Sequence, residues 1–299
     1  MGVSTRFVLE QGPVLRALAV SALRAARSGA KPAGGPPSTP GPEFRAELPP
    51  RSSALIDAYV RHVGGDAATY RTTVPPHLFP QWTFGIASET LRGVPYPLTR
   101  ILNGGSRLEM IAPIPRGEPL HVRARLESID DNGSRAVLRQ RVITGTRSVE
   151  TALIADLYAI VPLKKREKRA GTTREHVPEL AREIAFVRIA ANAGLDFAKL
   201  TGDFNPIHWV PAAARAAGFQ NVILHGFSTL ARSYEAVVRG VYAGAPHRLR
   251  VFDVRFTKPL VLPSSVGFYV EGDRVLAGSG PLGAVYLDGT FEAKGNVDE

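Results

Sequence analysis

The chain has 299 residues, 44% of them hydrophobic, and a formal net charge of +10. This length allows one large domain or two of ordinary size, with enough apolar residues for real cores. The chain has no cysteine, which excludes a disulfide scaffold, thiolate metal sites and a cysteine nucleophile, and fits a reducing, cytoplasmic compartment. The basic residues are spread along the chain without a nucleic-acid motif, so we favour a ligand with several phosphates over nucleic acid. No apolar run is long enough for a membrane-spanning helix, so we expect no membrane insertion.

The first 48 residues are predicted to form a short surface helix and a flexible linker. Residues 14–27 are amphipathic, and a Pro/Gly-rich stretch follows them. Arg16 and Arg24 interrupt the apolar part, which argues against a secretory signal. A transit peptide remains the alternative interpretation.

Residues 49–163 have the pattern of one structural unit. Helices are predicted over residues 53–63 and 83–91 from the spacing of apolar side chains. Segments rich in Val, Ile, Leu and Tyr then predict an antiparallel meander, with strands over residues 106–112, 121–129, 135–144 and 151–161. Residues 164–182 are predicted to be a basic linker. Its charge run, residues 164–169, is either solvated or attracts phosphate.

Residues 183–299 repeat this order. Helix is predicted over residues 182–202, then a short helix over 211–217 and a long apolar helix over 227–241. Strands are predicted over residues 248–257, 265–272 and 283–293. The halves can be aligned so that Asp66 lies opposite Asp203. We therefore predict an α+β double hot-dog, in which two antiparallel sheets each wrap a central helix and join edge to edge, so that two exposed edges are hidden.

The segment "TGDFNPIH", residues 201–208, places an acid close to a histidine. On one continuous helix Asp203 and His208 would point about 140° apart, because each residue turns the helix by about 100°. Asn205 is a favoured N-cap and Pro206 a favoured first helical residue, so the chain is predicted to bend between the pair. His208 then lies in a first helical turn, where the helix dipole favours the neutral imidazole that a general base needs. A purely structural turn is the alternative.

Two further segments are predicted to line the same pocket. Gly226, in "ILHGF" at the start of the long helix, can present its N–H to a carbonyl oxygen, as in an oxyanion hole. We interpret His225 beside it as structural. The strand that ends in "RFTKP" is predicted to line the same pocket.

The succession of "GDFNPIH", "AGF", "ILHGF" and "VRFTKPLVLP" resembles the MaoC-like (R)-specific enoyl-CoA hydratases and 3-hydroxyacyl-thioester dehydratases. The resemblance is strongest over residues 197–270 and includes the two-unit members of that group. It implies reversible hydration of trans-2-enoyl thioesters to (3R)-3-hydroxyacyl thioesters in fatty-acid metabolism. It also implies a CoA or acyl-carrier-protein thioester as substrate and no metal or other cofactor.

The resemblance implies a role for individual residues. Asp203 and His208 would be the catalytic pair, and Gly226 would donate its N–H to the thioester oxygen. Asn205, with Pro206 beside it, would hold the pair at the substrate, and Phe256 would contact the ligand. Single-unit members often carry a serine in the helix after the His-Gly pair. Whether the hydroxyl of Ser233 or Tyr234 replaces it stays open.

The first half lacks most of the motif. Opposite Asn205 and His208 it has Ala68 and Arg71, so we predict an inactive partner unit. That unit either opens space for a long acyl chain or only completes the sheet. A thioesterase and a non-catalytic acyl-thioester binding protein are the alternative functions, and a homodimer is a possible assembly.

Overall fold

The computed structural model describes residues 2–12, 35–164 and 176–295, with only the backbone of Thr99. The α-helices in this part of the chain are α1 (Ser53–His62), α2 (Pro80–Thr90), α3 (Ala193–Thr201), α4 (Pro211–Ala216) and α5 (Gly226–Gly240). The strands are β1 (Phe44–Leu48), β2 (Thr73–Val74), β3 (Leu102–Met110), β4 (Ile114–Pro115), β5 (Leu120–Asp131), β6 (Arg135–Gly145), β7 (Leu153–Pro162), β8 (Arg182–Ile189), β9 (Leu249–Phe256), β10 (Ser264–Glu271), β11 (Arg274–Gly278) and β12 (Val285–Ala293).

Ten of these strands form one antiparallel sheet in the order β1-β5-β6-β7-β3-β9-β12-β11-β10-β8. The first five strands in this order precede residue 164 and the other five follow residue 176. β3 and β9 join the two halves, with Gly105 opposite Arg255 and Glu109 opposite Val251. The predicted edge-to-edge junction is confirmed. It hides two strand edges that would otherwise expose unpaired backbone groups.

Each half of the sheet has its own helix. α2 packs on β5, β1 and β6, whereas α5 packs on β11, β8 and β9. In α5 the apolar residues Leu230, Tyr234 and Val237 recur at helical spacing and are fully buried. Burying one such side chain contributes about 1.5–3 kcal/mol, so this face holds the helix on its sheet. No described helix is long and apolar enough to cross a membrane.

The predicted helix over residues 182–202 is partly wrong. Arg182–Ile189 forms the edge strand β8, and only Ala193–Thr201 is helical. β8 is hydrogen-bonded to β10, a partner that lies far away in the sequence. The segment is also rich in Ile, Val and Phe, which favour strands. The spacing of apolar residues within a short window does not distinguish this strand from a helix.

Other boundaries differ less. β1 and β11 are absent from the sequence-based prediction, and α2 begins at Pro80, three residues before the predicted start. Proline is favoured in the first turn of a helix, which explains this earlier start. The predicted helix over residues 14–27 and most of the basic run over 164–169 lie outside the described residues. The unit boundaries at residues 48, 163 and 182 stay predictions.

Residues 2–12, which precede the predicted surface helix, pack against the core. Phe7 is 3% exposed and belongs to the main core. The N–H of Val3 donates to Asp196 Oδ1 at 3.1 Å, and Lys199 Nζ donates to the oxygen of Val3 at 2.9 Å. Gln11 donates from Nε2 to the oxygen of Lys199 at 3.2 Å. This segment is therefore fixed against α3.

A buried polar network links α5 to the first unit. Glu235 is 2% exposed and accepts hydrogen bonds from the Tyr70 hydroxyl at 2.8 Å and from His77 Nε2 at 2.9 Å. The Tyr59 hydroxyl in turn donates to the oxygen of His77 at 2.7 Å. Because Tyr70 and His77 precede α2 and Glu235 lies on α5, the network fixes the position of α5 against the other unit.

Candidate active site

The turn between α3 and α4 is built by successive caps. α3 ends at Gly202, which has a φ of 82° and so adopts the left-handed conformation that glycine tolerates best. Asp203 Oδ1 then accepts the N–H of Asn205 at 3.3 Å, and Asn205 Oδ1 accepts the N–H of Ile207 at 3.4 Å. Pro206 begins a 3-10 helix, Pro206–His208. The predicted bend at Asn205 and Pro206 is therefore present, as a 3-10 rather than an α-helical turn.

His208 is held by its main chain and its ring. Its Nδ1 lies 2.8 Å from the oxygen of Ile223. A main-chain carbonyl oxygen can only accept, so Nδ1 is assigned the proton and Nε2 keeps its lone pair. The side chain is 9% exposed, and this burial lowers the pKa of His208, although Asp203 and the bond to Ile223 act in the opposite direction. The ring is therefore neutral near neutral pH, as a general base requires.

His225 completes the cluster. Its ring stacks on that of His208 with centroids 3.7 Å apart, and its Nε2 donates to the main-chain oxygen of Asp203 at 3.0 Å. The same Nε2 lies 3.8 Å from Asp203 Oδ2. Burial lowers the pKa of His225 to about 4. One nitrogen from each histidine and one carboxylate oxygen of Asp203 all lie within 4.8 Å of one another.

The sequence predicts a structural role for His225 and does not indicate its place in this cluster. Its position directly before Gly226 in "ILHGF" was the available signal. The contact depends on the long-range packing of the α5 N-terminus against the turn after α3, which local patterns do not show.

Gly226 is the first residue of α5, with His225 as N-cap. The first N–H groups of a helix have no intrahelical acceptor and lie at the positive end of its dipole. A Cβ on Gly226 would lie 2.6 Å from Phe256 Cε2, so the aromatic ring covers this glycine closely. Phe256 also meets Phe227 edge to face at 6.0 Å. Phe256 therefore lies at the N-terminus of α5, and its contact with the ligand stays a prediction.

The side chains of the remaining candidates have other partners. Asn205 and Pro206 are exposed, and the Asn205 side chain caps its own 3-10 turn. The Ser233 hydroxyl donates to the oxygen of Thr229 at 2.9 Å. The ring of Tyr234 lies 4.8 Å from that of His77, on the side of the first unit.

The corresponding turn in the first unit keeps the cap and lacks the histidine. Asp66 Oδ1 accepts the N–H of Ala68 at 2.9 Å and precedes a 3-10 helix, Ala67–Tyr70. This parallels Asp203 before Pro206–His208, with Arg71 where the second unit has His208. The acid without a neighbouring base supports the interpretation of an inactive unit.

The side chains of the cluster are also of the types that bind metal ions in proteins. Within the described residues, one group of side chains is of the right type and close enough to hold a metal ion. It consists of Asp203, His208 and His225. However, Nδ1 of His208 and Nε2 of His225 already donate to main-chain oxygens, which leaves one lone pair on each ring. A metal ion would have to bind through those lone pairs and the carboxylate.

Parts of the chain are similar to a described domain and to named enzymes. Residues 167–278 match the family model described as a MaoC like domain. Over 97 residues the chain is 42% identical to 3-hydroxyacyl-thioester dehydratase X of Mycobacterium tuberculosis, a stretch that covers 32% of this chain and 33% of that protein. Over 223 residues it is 28% identical to enoyl-CoA hydratase ChsH3 of the same organism, covering 72% of each.

Solved structures share the fold. The crystal structure of HtdX from Mycobacterium tuberculosis matches with a TM-score of 0.66 and 24% identity, over 85% of this chain and 100% of that one. Another protein of this organism, described as having a double hot-dog fold, matches with a TM-score of 0.54 and 14% identity, over 87% of this chain and 99% of that one. These likenesses confirm the predicted double hot-dog architecture.

Proposed function

We propose, from the MaoC-like domain in residues 167–278, that the chain reversibly hydrates trans-2-enoyl thioesters to (3R)-3-hydroxyacyl thioesters in fatty-acid metabolism. The observation that carries the proposal is the cluster of Asp203, His208 and His225, whose polar atoms lie within 4.8 Å of one another beside the N-terminus of α5. An acid, a neutral base and a helix N-terminus together meet the needs of water addition to an activated double bond.

His208 is the base in this proposal. A water molecule between Asp203 and His208 gives a proton to Nε2 as its oxygen forms a bond to C3 of the enoyl group. The C2–C3 π electrons move toward the thioester carbonyl and form an enolate. The imidazolium of His208 then returns the proton to C2, so that one water is added in total. Asp203 orients the water and stabilises the imidazolium, in line with its raising effect on the pKa of His208.

Gly226 stabilises the enolate. Its N–H, at the positive end of α5, donates to the thioester oxygen as negative charge develops there. A well-placed donor of this kind contributes roughly 2.7–4 kcal/mol to the stability of the transition state. Phe256 packs against the same glycine and provides an apolar wall for the ligand.

Three other residues position the pair. His225 supports the ring of His208 by stacking and holds the main chain of Asp203 by a hydrogen bond. Asn205 and Pro206 form the turn that brings His208 back toward Asp203. The mechanism uses no metal or redox cofactor, because the thioester itself acidifies C2.

The carrier, location and assembly are also proposals. The net charge of +10 suits the phosphates of CoA or an acidic acyl carrier protein. A cytoplasmic location and a possible homodimer stay predictions, which cell fractionation and light scattering of the purified chain test.

The direct experiment follows loss of enoyl absorbance with purified protein. Crotonyl-CoA and a series of longer trans-2-enoyl-CoA thioesters are the substrates, and a thiol reagent reports any free CoA. We expect hydration without thiol release, and a (3R) product. Release of CoA would instead indicate a thioesterase, and binding without turnover of any chain length would leave an acyl-thioester binding protein.

A further inference from the structure

One side of α5 carries polar groups that have no partner. Ser228 and Arg232 are four residues apart and therefore lie on the same side of the helix. Ser228 Oγ and Arg232 Nε are buried and have no hydrogen-bond partner among the described residues. His62, the last residue of α1, has a buried and unpartnered Nε2. Buried polar atoms are nearly always paired in proteins, so three together point to a ligand.

Arg232 has no carboxylate neighbour in the described structure. Burial lowers the pKa of Arg232 to about 10, and the hydroxyl of Tyr59 is the group that raises it. Glu235, on the next turn of α5, already accepts hydrogen bonds from Tyr70 and His77. A buried guanidinium without an acid is costly, and an anion would offset that cost.

The surroundings of His62 are positive as well. Burial, and after it the charges of Arg232, His225 and Lys199, lower the pKa of His62 to about 3. Both His62 and Arg232 nevertheless keep some accessible surface. The buried polar cluster of His62, Ser228 and Arg232 is called the recess. The recess has a positive potential and hydrogen-bond donors.

The recess lies next to the candidate active site. The ring of Phe197 is 6.3 Å from that of His62 and 4.9 Å from that of His225, so a single aromatic side chain separates them. Arg232 follows Gly226 by six residues, which is about 9 Å along α5 at 1.5 Å per residue. An acyl group whose thioester oxygen meets Gly226 would have to pass Phe197 and turn about 120° around α5 to bring its far end to Arg232.

We propose that Arg232, Ser228 and His62 form a subsite for a carboxylate at the far end of the acyl group, so that ω-carboxy enoyl thioesters are a preferred substrate class. This inference rests on the proposed function. The guanidinium of Arg232 matches a carboxylate in geometry and charge, and Ser228 can donate a further hydrogen bond. No residue of this subsite takes part in the addition of water.

The test compares trans-2-enoyl-CoA thioesters in pairs of equal length, one ending in a methyl group and one in a carboxylate. We expect the wild type to favour the carboxylate in kcat/KM by roughly tenfold or more at the best length, the scale of one hydrogen-bonded charge. Arg232→Met should abolish this preference and keep turnover of the methyl-ended substrate, whereas Arg232→Lys should retain part of it. Arg239→Met, on an exposed site of the same helix, is the matched control.

A second readout does not need turnover. Octanoate should move the ring resonances of His62 in an NMR spectrum of the wild type, and 1-octanol at equal concentration should not. The octanoate effect should disappear in Arg232→Met. Equal rates for both substrates of each pair, or no response of His62 to octanoate, would overturn the subsite. If no substrate is turned over but octanoate shifts the His62 resonances as expected, the proposed function is refuted and the carboxylate subsite is still supported.

Discussion

The network around Glu235 should determine how firmly the two units hold each other. Tyr70 is 1% exposed, and its hydroxyl donates to Glu235 Oε1 at 2.8 Å. Tyr70→Phe removes this bond to a buried acid and should lower the free energy of unfolding by about 1.5–3 kcal/mol. Glu235→Leu leaves both Tyr70 and His77 without an acceptor. Each buried donor left without an acceptor costs about 1–3 kcal/mol, so the free energy of unfolding should fall by about 2–6 kcal/mol.

Urea unfolding followed by circular dichroism measures these losses of free energy. The double variant isolates the interaction energy between Tyr70 and Glu235 from the effects of each single substitution. In a Glu235→Leu background Tyr70→Phe should instead recover about 1–3 kcal/mol, because it removes a buried hydroxyl whose acceptor is already gone. Tyr96→Phe is the control, since its hydroxyl bonds to Asp131 at 3.0 Å on the surface. If Tyr70→Phe costs the same in both backgrounds, the network does not bind the units.

Three further predictions concern pH, the helix N-terminus and the N-terminal segment. His225 has a folded pKa of about 4 against an ordinary 6.5, so the unfolded chain binds its proton first and stability should fall from pH 6.5 toward 4. The slope reaches about 1.4 kcal/mol per pH unit for this group, and His225→Gln should reduce it in urea titrations at several pH values. Gly226→Ala should push Phe256 from its place and cost about 1–3 kcal/mol in stability, and Phe256→Ala in the same chain should relieve much of the strain. Phe7→Ala should cost about 3–5 kcal/mol in unfolding experiments, whereas Leu9→Ala, at a site 86% exposed, should stay within about 0.5 kcal/mol of the wild type.

Much of the fold could be predicted because its signals are local. α1 and α5 have apolar residues at helical spacing, and β5, β6 and β7 are separated by turn residues. The caps at Asn205 and Pro206 also depend on neighbouring residues alone. For these elements the structure follows the sequence-based prediction within a few residues.

The errors share a cause in distant contacts. β8 is a strand because β10 lies beside it, and no window around residues 182–189 contains that information. The place of His225 depends on the approach of α5 to the turn after α3. Phe7 is buried because α3 and the first unit offer it a site. Each case is decided by tertiary packing, which overrides local preference.

The central claim is that Asp203 and His208 add water to an enoyl thioester. The most direct measurement is kcat for crotonyl-CoA or the best longer substrate in Asp203→Asn, His208→Gln and His121→Gln, the last at an exposed histidine. We expect the first two variants to lose roughly a hundredfold or more, as removal of a general acid or base does, with unfolding midpoints close to the wild type. His121→Gln should be unchanged. Wild-type turnover in a folded His208→Gln or Asp203→Asn variant would contradict the account.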